Sequence, residues 1–151
     1  MTKQFQGQGF QFSIPDGSID RSLIFYTMET AARDGSWPTI AVSYEFLQAG
    51  ENLPRFCNRQ IAKLSETVTG LLVDSMRDVQ LAGRAAFEVM LRWSDGAKIG
   101  MQQRLVVSEL DRGKILLLSN IATQAAFEDA APFFLSSLNS FAWDPAPGGA
   151  P

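Results

Sequence analysis

The side chains able to do chemistry in this chain are mostly hydrogen-bonding groups set among small apolar ones. The segment Thr39-Ile-Ala-Val-Ser-Tyr-Glu-Phe-Leu47 is the densest case. In a strand, alternate residues point to opposite faces. One face then carries Ile40, Val42, Tyr44 and Phe46, a set suited to a core. The other carries Thr39, Ala41, Ser43, Glu45 and Leu47, where a solvent face would show more Lys, Glu and Arg. Hydroxyls among small groups suit close contact with a semi-apolar surface. The plainer reading of the same pattern is an edge strand showing Ser and Thr to water.

Covalent and metal chemistry have little to work with. The chain has no histidine, which removes the commonest general base and metal ligand. Cys57 is its only cysteine, so no intrachain disulfide can form and no histidine can activate the thiol. The glycines lie scattered among turns, without a phosphate-cradling pattern. The carboxylates are dispersed. The expectation is a non-enzyme with no metal and no cofactor. A hydrolase would require two distant acids to converge in a pocket. A net charge of -3 and the absence of a basic stripe exclude nucleic acid as a partner.

At 151 residues, 46% of them hydrophobic, the chain suits one domain with a substantial core and is not disordered wholesale. Its longest apolar runs, such as Ile115-Leu-Leu-Leu118, are strand-sized and too short to span a bilayer, so no stable membrane insertion is expected. The first residues hold one lysine and no apolar stretch of signal-peptide type, which with the lone cysteine points to the cytoplasm.

The elements that must position these groups follow from periodicity. Phe10, Phe12 and Ile14 alternate with polar residues and stop at Pro15-Asp-Gly17, a turn sequence. A second strand runs over about Arg21 to Met28, and Asp34-Gly35-Ser36 turns it into the Thr39 strand. After Leu47 the period becomes helical. Asn52 is placed to cap, Pro54 falls in the first turn, and Leu53, Phe56, Cys57, Gln60, Ile61, Leu64 and Val68 share one face. Cys57 reads as a small buried residue in that stripe.

Four more strands are expected: an irregular one over Leu71–Leu81, then Ala85–Trp93, Lys98–Glu109 and Lys114–Thr123. Gly83, Ser94-Asp-Gly96 and Asp111-Arg-Gly113 mark the turns between them. The last strand is apolar on both faces through Leu118, so both are covered or one awaits a partner. Phe127, Ala131, Phe134, Leu138 and Phe141 then recur at helical spacing, with Pro132 opening the body of the helix. Residues 1–143 form the single domain, and 144–151 form a flexible Pro/Gly tail.

The order β-β-β-α-β-β-β-β-α predicts an α+β fold: a curved antiparallel sheet with two helices packed on one face. The opposite face would stay open. With Ile40, Val42 and Tyr44 on the helix side, Thr39, Ala41 and Ser43 take the open side, beside Leu23, Phe25 and Thr27. Gln102 joins them if Met101 and Leu105 point to the core. Such a floor fits a transmembrane helix, which packs through small residues and Ser/Thr hydrogen bonds and aggregates in water unless covered. A homodimer interface would use the same ingredients.

Four segments carry a family resemblance: Asp20-Arg-Ser-Leu-Ile-Phe25, Ser43-Tyr-Glu45, Arg59-Gln-Ile61 with Leu64, and Gln102-Gln-Arg104. In order and spacing, over about residues 8 to 143, the chain resembles the DcrB-like domain. Within it, the chain is similar to the Eag-type chaperones associated with effectors of bacterial type VI secretion, which more often read Gln-Arg-Gln at the last segment. The resemblance implies a PsbP/Mog1-like fold and a homodimer whose sheets make a cradle. That cradle would shield the N-terminal transmembrane helices of an effector and aid its loading on the secretion spike. By position, the contacts would be Leu23, Phe25, Thr39, Ala41, Ser43, Gln60 and Gln102. The alternative is a non-enzymatic module of the same fold that binds a folded protein partner.

Overall fold

The period-two segments pair as successive hairpins in the computed structural model, which describes residues 2–6, 9–19 and 21–144. β1 (Thr2–Gln6) and β2 (Gln11–Pro15) form a separate two-stranded sheet. The main sheet is built from β3 (Leu23–Thr27), β4 (Thr39–Phe46), β5 (Thr69–Leu81), β6 (Arg84–Ser94), β7 (Gly100–Asp111) and β8 (Lys114–Thr123). Its order is β3-β4-β8-β7-β6-β5, antiparallel throughout. Helix α1 (Leu53–Ser65) follows β4, and α2 (Ala131–Asn139) follows β8. This is the expected α+β architecture, a curved antiparallel sheet with two helices. The N-terminal strand β1 is an addition, and the tail beyond residue 144 lies outside the described residues.

The helices form where the sequence signals them. The Asn52 side chain accepts a hydrogen bond from Arg55 N at 2.9 Å, satisfying an otherwise orphaned amide of α1's first turn. Pro54 and Pro132 sit in first turns, where a missing N–H costs nothing.

The helices do not share a face of the sheet, contrary to the expectation. Phe56 and Cys57 of α1 pack with Phe87, Val89, Leu105, Val107, Ile115 and Leu117. Phe134 and Leu138 of α2 belong with the residues of opposite parity, Met90, Val106, Leu116, Leu118 and Ala122. The reason is the two-sided apolarity of the central strands. β8 is buried at Ile115, Leu116 and Leu117 in succession, and one covered face cannot bury consecutive strand residues. Each helix therefore covers part of its own face. α1 lies over β5, β6 and β7, leaving β3 and β4 open on the same side.

The two edges of the sheet differ in kind. β5 carries Asp74, Arg77 and Asp78 and two register shifts, devices that blunt strand addition. β3 reads Leu-Ile-Phe-Tyr-Thr, exposed at every residue, with no charge, proline or bulge.

Candidate functional site

The open region is the part of the α1 face built by β3, β4 and the neighbouring half of β8. Register places Leu23 opposite Ser43, Phe25 opposite Ala41 and Thr27 opposite Thr39. Across the next ladder Ala41 faces Ser119, Thr39 faces Ile121 and Ser43 faces Leu117. The floor is therefore relieved rather than flat. Leu23 and Phe25 are 56% and 58% exposed, whereas Ala41 and Ser119 are 7% and 8% exposed, sunk between larger neighbours. Thr39 and Ser43 are half-buried, and the Thr39 hydroxyl donates to Trp37 O at 3.0 Å.

Of the seven nominated residues, five come together here: Leu23, Phe25, Thr39, Ala41 and Ser43. Gln60 lies on α1, half-buried, and its Nε2 is buried without a hydrogen-bond partner among the described residues. Gln102 is misplaced. It pairs with Arg92 and Ala122 on the α2 face, while Gln103 pairs with Leu91 and Ile121 on the α1 face. The alternation of β7 was read correctly: Met101, Gln103 and Leu105 do share a face. The floor, however, lies on that face, beside α1, and not behind it.

Gln103 and Ser119 are polar groups of this floor that lie outside the seven residues expected there. The Gln103 Oε1 accepts from the Trp93 indole at 3.2 Å, and its Nε2 donates to the Ser119 hydroxyl at 3.1 Å. These two bonds fix the amide's orientation and stretch a polar line from β6 to β8. The signal in the chain is Ser119 itself, a hydroxyl interrupting an apolar strand.

Two charged clusters hold the frame. Glu51 takes both Arg59 Nε and a terminal nitrogen, at 2.8 and 2.7 Å, and Arg59 also donates to Phe46 O at 3.0 Å. This ties α1 to the end of β4 and draws the Glu51 carboxyl down to about 2 from its ordinary 4.5. At the other end Asp34 accepts from the hydroxyls of Ser36 and Thr123, which hold its carboxyl below the usual range and latch the β3–β4 hairpin to β8. Cys57 is wholly buried, and burial pushes its thiol up to about 12. It is a packing residue and not a nucleophile. No group of three or more potential metal ligands occurs among the described residues, and none of their helices is long and apolar enough to cross a membrane.

The geometry offers contact and hydrogen bonding rather than bond-making, and comparison with known proteins agrees in fold. PA94 of Pseudomonas aeruginosa, a protein of unknown function, superposes with a TM-score of 0.79 at 16% identity, over 96% of this chain and 99% of that one. The cyanobacterial PsbP (CyanoP) of Synechocystis superposes at 0.51 with 12% identity, over 92% and 89% of the two chains. No curated protein sequence matches. The DcrB family model matches residues 10–139, nearly the whole described sheet and both helices, and the chain belongs to the DcrB family.

Proposed function

We propose that this protein is a cytoplasmic, non-enzymatic chaperone that shields the N-terminal transmembrane helices of a type VI secretion effector. It acts as a homodimer and aids loading of the effector on the secretion spike. The observation that carries this reading is the floor. Exposed Leu23 and Phe25 stand beside recessed Ala41 and Ser119, with Thr39, Ser43 and Gln103 supplying sparse polar groups. Apolar relief provides the driving force at about 25 cal/mol per Å2 buried, and the hydroxyls and amide fix orientation. Small recessed residues let a helix backbone approach closely. Membership of the DcrB family and a PsbP-type fold support the broader statement, a module that binds protein.

Co-expression with an effector's apolar N-terminal segment tests it. A soluble complex that is lost when Thr39 and Ser43 are replaced by lysine, with the fold intact, supports the chaperone. A segment that precipitates equally with and without this protein overturns it. Binding to a soluble folded domain, with indifference to apolar segments, would instead identify a docking module.

A further inference from the structure

On the opposite face, between α2 and the sheet, lies a cleft of about 1130 Å3 that the floor does not explain. Val42, Leu116 and Leu118 line its base, and Leu138, Phe141 and Trp143 close over it. The roof is anchored, since the Trp143 indole donates to Leu81 O at 2.8 Å. Lys114 and Asn120 both line it. They lie six residues apart on β8, so the trough is about 20 Å long at a rise near 3.3 Å per residue.

The ends of the trough differ. At one end Lys114 lies over the Tyr44 ring and Arg84 over the Trp143 ring, and Asp111 and Asp144 also line the cleft. Lys114 and Arg84 are long side chains whose stems extend the apolar wall while their heads reach water. At the other end is Asn120, only 2% exposed. Its side-chain amide opens into the cleft and makes no hydrogen bond to any described residue. Its cross-strand neighbour Arg104, which does not itself line the cleft, forms an ion pair with Glu88 at 3.7 Å, and its buried Nε has no hydrogen-bond partner among the described residues. Glu88 is itself engaged by Arg77 at 2.9 Å. A buried donor without an acceptor is costly, and the Asn120 amide is the donor that lines the cleft, so an acceptor oxygen would complete this end.

From this juxtaposition we infer that the cleft is a binding site for a long-chain carboxylic acid. The carboxylate accepts from the Asn120 amide, in the field of Arg104. The hydrocarbon chain lies along Leu118, Val42, Leu116 and Leu138 and ends beneath Phe141 and Trp143. Asp111 and Asp144 are then at the far end from the head group.

The buried Cys57 makes a clean test possible, because a cysteine introduced at Ser137, on the roof, would be the accessible thiol. In the Ser137→Cys protein, palmitate below its micellar range should slow alkylation by a maleimide at least tenfold. Cetyltrimethylammonium, of matched chain length and opposite charge, should not protect. Adding Asn120→Leu should abolish palmitate protection while circular dichroism stays unchanged, and calorimetric titration of the unmodified chain with palmitate should show saturable binding. Absence of protection and of saturable heat overturns the site. Equal protection by the cationic amphiphile, or full protection in the Asn120→Leu background, overturns the assigned head group.

Discussion

Gln103 and Ser119 meet across β7 and β8, the amide nitrogen donating to the hydroxyl at 3.1 Å while the Trp93 indole holds the amide oxygen. With both ends of the amide engaged, the pair presents a fixed polar line on the open floor. Replacing Gln103 with leucine should weaken capture of an apolar segment about tenfold, roughly 1.4 kcal/mol. Gln102→Leu, on the other face, should leave capture unchanged. Titration of a fluorescent segment peptide in detergent-free buffer distinguishes the two.

Leu23 and Phe25 contribute little to the folded monomer because both are more than half exposed. Phe25→Glu should therefore change stability by no more than about 0.5 kcal/mol. The same substitution should abolish recovery of the segment in the soluble fraction. A large fall in urea midpoint would mean that Phe25 is structural instead.

Phe56 has the opposite character, wholly buried between α1 and the sheet. Phe56→Ala should cost about 3–5 kcal/mol, the usual range for deleting a large buried ring. Equilibrium urea unfolding gives the value directly.

The cap of α1 is a local and separable contribution. Asn52→Ala removes the acceptor for Arg55 N, which should lower stability by about 1 kcal/mol. Asn52→Asp should retain the cap, so the pair of variants isolates the hydrogen bond from the side-chain volume.

Acid should weaken the frame through Glu51. Its carboxyl is held near 2 in the folded protein against an ordinary 4.5, so the unfolded chain takes up the proton first as pH falls. The stabilisation is fully present above about 4.5 and is lost progressively as pH drops toward 2. Asp34, whose carboxyl is also lowered, acts in the same direction. The difference in urea midpoint between wild type and Glu51→Gln should hold constant at higher pH and shrink as pH falls from about 4.5 toward 2.

Much of the fold was legible in the chain because several local signals agreed. Asn52 and Pro54 announced α1, Pro132 opened α2, and Lys114–Thr123 was read with its observed boundaries. The irregularity expected in Leu71–Leu81 is the pair of register shifts in β5. The side of the sheet taken by each helix was harder to read, although Ile115 to Leu118 carried the clue. Consecutive buried leucines demand cover on both faces, and two helices on one face cannot supply it. That single misplacement moved the floor to the other face and put Gln102 on it, where the structure places Gln103. That Leu23, Phe25, Thr39, Ala41 and Ser43 share a face was legible all the same, because it depends only on alternation within one hairpin. Strand β1 carried too little apolar alternation to be distinguished from a polar terminus. Asn120 and the cleft depend on how far α2 stands from the sheet, which no pattern in the chain encodes.

The uncharged β3 edge has a consequence for how much of this protein can safely exist alone. A strand of Leu, Ile, Phe and Tyr with one ladder unmet among the described residues is a template for any extended chain nearby, including another molecule's β3. Overproduction therefore favours self-association into sheets through that edge, a hazard that rises with the concentration of the chain.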